Sequence, residues 1–394
     1  MSLRACAVAL AVGLVPITPV VLAAPAPAAE SDQPCESGVT RYIDDPSAAR
    51  NLDQLGFPEA WKIATGKGVR VAVIDSGVNA GNAHFAGALE KGRSFVGGSA
   101  QDDDFGHGTA VAGIIAARRH EGSVLVGAAP DATIVPVRTY EDTPDTALLA
   151  KGIRWAAEQD VDVINVSVST GPNDTALPEL RSAVKYAVST GAIIVASGGN
   201  QGELAPLTQK RFPAALPGVI GVAATRSNGT VDDWSIHGPH NDVAAPGEEV
   251  LIAFLGNGDC LGGANGRAYT SWATAYVSGL AAALREEFPD ATAKEITNRI
   301  LDTATRPVRS RRDNLQGWGV IQPYAALTKS VSSEPGTTDT DDAQSARGGI
   351  EPLSLESDPM QPSRTAMLWW AIGSLGVAGV ALVLRPWIRK LRKS

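Results

Sequence analysis

The run Val69-Arg70-Val71-Ala72-Val73-Ile74-Asp75-Ser76-Gly77 is a nearly unbroken apolar strand that ends on an acid and a turn glycine. Residues 133–137, 161–168, 192–196 and 219–223 repeat the same short apolar pattern. Between and after them, helical periods fit 109–117, 146–158, 179–189, 272–287 and 293–303. Continuous apolar strands alternating with helices specify an α/β fold, a mainly parallel sheet covered on both faces. The working site of such a sheet lies beyond the carboxyl ends of its strands.

Three segments placed there carry chemistry. Asp75 closes the first strand. In Phe105-Gly106-His107-Gly108-Thr109 an imidazole stands between glycines at a helix start. In Tyr269-Thr270-Ser271-Trp272-Ala273 a serine opens a helix of small residues, near the positive end of its dipole. A serine is a weak nucleophile until a neutral imidazole takes its proton. A buried carboxylate holds that imidazole in the required tautomer. The oxyanion that forms needs aimed donors. Ser197-Gly198-Gly199-Asn200 offers the Asn200 amide, and the backbone N–H of Ser271 is the second donor. Asp75, His107 and Ser271 are therefore expected to be catalytic, and Asn200 to bind the oxyanion. Extended substrate is expected against Ser167, Val168 and Ser169 on one side and Ser197, Gly198 and Gly199 on the other. No cofactor and no metal are expected, since five histidines and three cysteines do not compose a zinc module.

The order Asp, His, Ser, with Asp75-Ser76-Gly77, His107-Gly108-Thr109, Asn165-Val166-Ser167, Gly199-Asn200, Val243-Ala244-Ala245-Pro246-Gly247 and Gly317-Trp318-Gly319, resembles the subtilisin-like serine proteases. It implies a subtilisin-like three-layer fold. The region 107–117 and Ala275-Tyr276-Val277-Ser278-Gly279 resemble the mycosins, membrane-anchored subtilisin-like proteases of type VII secretion. That resemblance implies an endopeptidase acting on a restricted set of polypeptides, with type VII membrane-complex components as partners. The alternative it leaves is a structural subunit of that complex with weak or dispensable protease activity. Two departures bear on the choice. Tyr269 stands where subtilisin-like proteases usually have glycine, and is expected to border and restrict the groove. Asp103-Asp104-Phe105 stands where mycosins often carry a cysteine.

The chain has 394 residues, 44% hydrophobic and 19% charged, which is enough apolar content for a sizeable core. Its charge of −8 is uneven. Residues 1–29 hold +1, residues 329–364 hold −4 and residues 385–394 hold +5, so the body carries −8 − 1 + 4 − 5 = −10. An acidic body excludes nucleic-acid binding, which needs clustered Lys and Arg.

Residues 1–29 read as a signal peptide: Arg4, a long apolar run, then small residues around Ala23–Ala29. Residues 30–67 form an N-terminal extension expected to wrap the body, 68–328 the peptidase domain and 329–364 a Ser/Thr/Asp/Pro-rich stalk. Residues 365–384 carry no charge and are long enough for a transmembrane helix into the lipid bilayer. The basic tail 385–394 places the catalytic domain outside and the tail in the cytoplasm. Once Cys6 leaves with the signal, Cys35 and Cys260 form an even pair. Exported, they are expected to make a disulfide; two free thiols are the alternative. His84, His120, His237 and His240 read as surface or loop histidines.

Overall fold

The structure, a computed structural model, describes residues 35–201, 207–231, 234–263, 266–305 and 311–330. Before the sheet come two short helices, α1 (Arg50–Leu55) and α2 (Phe57–Ala60). Among the described residues seven strands form one parallel sheet: β1 (Arg70–Asp75), β2 (Arg93–Ser94), β3 (Thr133–Arg138), β4 (Val163–Val166), β5 (Ile193–Ser197), β6 (Val219–Thr225) and β7 (Val243–Pro246). Their order is β2-β3-β1-β4-β5-β6-β7. A separate antiparallel hairpin joins β8 (Val250–Ala253) and β9 (Asp259–Gly262). The main helices are α3 (His107–Ala116), α4 (Thr146–Glu158), α5 (Leu177–Ser189), α6 (Thr270–Glu287), α7 (Ala293–Thr303) and α8 (Pro323–Thr328).

Strand alternation divides the core into two layers. Val71 and Val73 of β1 pack with α3 and α6. Ala72 and Ile74 of the same strand pack with Leu149 and Ile153 of α4 and Leu180 and Val184 of α5. All four β1 side chains are fully buried, so both faces of the sheet are covered, as a parallel sheet requires. Helix α6 is buried nearly all round from Thr270 to Leu284, and its small residues let it lie close to its neighbours. A Cβ on Gly279 would come within 2.4 Å of the Ala128 methyl. Helix α7, by contrast, is amphipathic. Its start is set by a capping box in which the Thr292 side chain accepts from Glu295 N–H and Glu295 reaches back to the Thr292 N–H.

The chain leaves β1 toward β3 on one side and later returns to place β4 on the other. The sheet order therefore reverses between β1 and β4, and a crevice opens beyond their carboxyl ends.

The segment preceding β1 is bound to the body at several points. Phe57 is fully buried, Trp61 Nε1 donates to Ala128 O, and Asn51 donates to the carbonyls of Glu248 and Glu249. Arg41 exchanges backbone hydrogen bonds with Asn257 and Asp259. One Glu286 oxygen accepts from the N–H groups of Thr65, Gly66 and Lys67 at 2.6–2.9 Å. Cys35 and Cys260 form a disulfide across 225 positions of sequence. Closing so long a loop restricts the unfolded chain. Replacing both cysteines by serine is expected to lower stability by about 3–5 kcal/mol, read as a fall in the thermal midpoint of the purified, oxidised protein. An unchanged midpoint would show that the noncovalent contacts alone hold the segment.

Several sequence expectations shift. The strand expected over 161–168 is confined to Val163–Val166, the residues that pair with β5. Helices α3 and α6 begin two residues before their apolar periods, since glycine, histidine, threonine and serine in a first turn carry no hydrophobic signal. His84 and His240 are buried, correcting the surface reading. His84 is held by Arg118 O and Asp259, and His240 by Gly198 O, partners far away in sequence. No helix of the described residues is long and apolar enough to cross a membrane. The segments expected to be the signal peptide (1–29), the stalk (329–364, beyond Ser330), the membrane span (365–384) and the basic tail (385–394) lie outside the described residues.

Candidate active site

Asp75 is the last residue of β1 and is fully buried. A buried carboxylate survives only when donors replace water. Here they converge on one oxygen. Asp75 Oδ1 accepts from Ser76 N (2.8 Å), Tyr140 Oη (2.6 Å) and His107 Nδ1 (2.7 Å). Asp75 Oδ2 is buried without a partner. The Nδ1 contact requires a proton on that nitrogen, which leaves Nε2 with the lone pair when the ring is neutral. The His107 side chain is 20% exposed. Burial opposes its charge, but the charge and hydrogen bond of Asp75, with a smaller contribution from Asp103, outweigh burial and raise its pKa above the ordinary imidazole value.

Asp103 explains how the two loops are held. Its Oδ1 accepts from Ser76 Oγ and Gly106 N, and its Oδ2 from Thr109 N and Thr109 Oγ1. One buried acid thus joins the turn after Asp75 to the first turn of α3. Neither Asp103 nor Tyr140 stood out as functional in the sequence. Asp103 was visible only as one of three consecutive aspartates. Tyr140 carries no local signal, since it reaches Asp75 only because β3 lies beside β1.

Ser271 is the second residue of α6 and is 4% exposed. Its N–H is among the first four of the helix and has no intrahelical acceptor. Its carbonyl accepts from Ser167 Oγ at 3.2 Å, and Ser167 is in turn held by Asn165 Nδ2. Ser278 Oγ donates to Asn165 Oδ1 at 2.8 Å, so a polar chain through the core sets α6 against β4. The Trp272 ring lies 5.1 Å from the His107 ring. The structure thus joins Asp75 to His107 directly and brings the start of α6 beside them. It does not close a hydrogen bond from His107 to Ser271 Oγ, a contact that in ligand-free enzymes commonly tightens only when substrate binds.

Asn200 follows β5. Its Oδ1 accepts from Thr270 N (3.1 Å) and Thr270 Oγ1 (3.0 Å), so the NH₂ end is left as the donor beside Ser271. Ser197 Oγ shares a 2.6 Å hydrogen bond with Thr270 Oγ1, tying β5 to the same helix start. Gly198 and Gly199 continue from β5, and Val168 and Ser169 continue from β4. Tyr269 is the N-cap of α6 at φ −90°, an angle any L-residue adopts, which is how the chain accommodates it in place of glycine. Its ring centroid lies 6.4 Å from that of Trp234 and 6.3 Å from that of Trp272. Among the described residues no group of His, Cys, Asp or Glu is arranged to hold a metal ion.

An acid–imidazole pair at a strand end, beside a helix-start serine and an amide donor, is the equipment of acyl transfer. The family model of the subtilases (peptidase S8) matches residues 66–319, and the chain belongs to that family, whose members are serine peptidases. Its likeness to Mycosin-1 extends over more of the chain than its likeness to subtilisin E. It is 33% identical to Mycosin-1 of Mycobacterium tuberculosis over 83% of each chain, against 36% identity to subtilisin E of Bacillus subtilis over 61% of each. A crystal structure of MycP1 from the ESX-1 type VII secretion system superposes with a TM-score of 0.68 at 31% identity, covering 76% of this chain and 91% of that one. A structure of the periplasmic assembly from the ESX-5 inner membrane complex contains a chain that matches at a TM-score of 0.65 and 29% identity, over 79% and 89%. The protein is a subtilisin-like serine endopeptidase of mycosin type.

Proposed function

We propose that the protein is a membrane-anchored, extracytoplasmic endopeptidase of a type VII secretion system, with Asp75, His107 and Ser271 as its triad and Asn200 as an oxyanion donor. The observation that carries the reading is the 2.7 Å contact of buried Asp75 with His107 Nδ1, facing the helix start that bears Ser271.

In this mechanism His107 Nε2 removes the Ser271 hydroxyl proton as Oγ attacks the scissile carbonyl. Asp75 stabilises the imidazolium that results. The Ser271 N–H and the Asn200 amide receive the oxyanion. His107 then protonates the leaving amine, and water, activated by the same base, releases the acyl group. Substrate lies extended between Ser167-Val168-Ser169 and Ser197-Gly198-Gly199, with Tyr269 narrowing the entrance. The residue-365–384 span anchors the chain and the basic tail faces the cytoplasm. Association with the secretion complex rests on the resemblance to the chain in the ESX-5 assembly. That resemblance also supports the second reading, a structural subunit with dispensable proteolysis. The test is reaction of the full-length, membrane-extracted protein with a fluorophosphonate, with the modified residue mapped by mass spectrometry. Modification at Ser271 alone supports the catalytic reading, and no modification leaves the structural one.

Tyr140 yields a finer test. Burial, then the nearby Asp75 charge, pushes its phenol pKa well above the ordinary value, so it stays a neutral donor. Tyr140→Phe keeps the ring and removes the donor. Asp75 then holds more negative charge against His107, and the imidazole pKa rises further. The acid limb of kcat/KM is expected to move to higher pH, with a loss of about tenfold on that limb. A pH profile that does not move would exclude electrostatic coupling of Tyr140 to the pair.

A further inference from the structure

A cation, Arg211, touches both Ser169 and Gly199, two of the residues expected to flank the substrate. Arg211 precedes Phe212, which pairs antiparallel with Thr170 through two backbone hydrogen bonds just beyond the Ser167–Ser169 stretch. The Arg211 side chain reaches Ser169 of that stretch. Its Nε donates to Ser169 Oγ at 3.2 Å and its Nη2 to Ser169 O at 3.0 Å. It then meets the opposite wall. A Cβ built on Gly199 would stand 2.8 Å from Arg211 Cγ and 3.0 Å from Arg211 Nε. Gly199, at φ +94°, thus leaves open the space that the arginine occupies.

Two of the five guanidinium N–H donors are used in this way, and the rest of the fork has no acceptor among the described residues. No carboxylate among the described residues lies within ion-pair distance of it. Half-buried, the group has its pKa lowered by desolvation, with no acid offsetting the cost. The surroundings are cationic too: Arg211, Arg312 and Lys210 all act on His240, which burial already keeps uncharged and which bonds Gly198 O. Arg312 is itself paired with Asp242 at 3.5 Å, so Arg211 is the cation of this group that touches Ser169 and Gly199.

If the substrate carbonyl sits between Ser271 and Asn200 and the chain lies between the Ser167–Ser169 and Ser197–Gly199 stretches, the side chain of that residue comes close to Ser169 and Gly199, which Arg211 touches. We propose that Arg211 makes the enzyme select polypeptides with Glu or Asp on the amino side of the cleaved bond, the carboxylate completing the guanidinium fork. This rests on the reading of Ser271 and Asn200 given above.

The test uses the full-length, membrane-extracted protein and a set of tripeptidyl diphenyl phosphonates whose terminal residue is Glu, Gln, Ala or Lys. Each labelling rate at Ser271 is divided by that of a simple fluorophosphonate, which lacks a side chain for the gap. The Glu probe is expected to label about ten to a hundred times faster than its uncharged isostere Gln, the range of one charge-assisted hydrogen-bond pair, with the ratio falling as salt is added. Arg211→Gln is expected to erase the ratio and Arg211→Glu to turn the preference toward Lys. Equal rates for Glu and Gln in the unaltered protein would overturn the proposal, as would a ratio that survives Arg211→Gln. A preference for Ala alone would also overturn it, by showing that Arg211 merely fills the gap. Those outcomes leave the protease reading standing. Failure of the fluorophosphonate itself removes that reading, and this one with it.

Discussion

Ser271→Ala is expected to lower peptide hydrolysis by about 10⁶-fold and to abolish modification by fluorophosphonates, with the fold intact. The size follows from the roles. Without Oγ no acyl-enzyme forms, His107 has no proton to accept, and only the oxyanion donors and substrate binding are left to assist direct attack by water. Stability should change little. Ser271 is buried, but its backbone N–H and C=O stay in the first turn of α6, and alanine is a good helix former. The measurement pairs active-site labelling with a thermal melt of the same preparation. Labelling that persists in the variant would remove Ser271 from the mechanism. The same variant separates the two functional readings in cells: secretion sustained by Ser271→Ala but lost on deletion would assign the structural role.

Asp75→Asn is expected to reduce kcat by about 10⁴-fold while leaving substrate binding close to normal. His107 acts as the base only in its neutral form, and its charged form is favoured by Asp75 against the penalty of burial. Asparagine keeps the shape and an acceptor for Ser76 N–H and Tyr140 but carries no charge. The imidazole pKa should then fall, since burial is no longer opposed by a neighbouring anion. The acid limb of the residual activity is accordingly expected at lower pH than in the unaltered enzyme, the opposite direction to Tyr140→Phe. A kcat within tenfold of normal, or an acid limb displaced upward, would contradict the role assigned to Asp75.

The fold class, the strand-end position of Asp75 and the helix-start positions of His107 and Ser271 were legible in the sequence. Each is written locally: a β-branched run, a glycine beside an imidazole, a serine before a run of small residues. Periodicity located 146–158 and 293–303 to the residue, because α4 and α7 are amphipathic and capped by Asp145 and Thr292. It missed β7 and the β8–β9 hairpin, which are too short to show a period, and the first turns of α3 and α6, whose residues are small or polar.

What the sequence by itself determined, then, is the list of chemical groups and the elements that carry them. Burial of alternating apolar side chains on both faces leaves one arrangement for such strands and helices, and that arrangement gathers the strand ends. Which partners those groups meet was decided only by the tertiary structure. Tyr140 reaches Asp75 because β3 neighbours β1, Asp103 joins two turns that lie far apart along the chain, and Arg211 bonds to Ser169 because Phe212 pairs with Thr170. Each is a contact between residues distant in sequence. Hydrogen bonding and electrostatics act over a few ångströms, so no local pattern encodes such a contact until the sheet brings its two ends together.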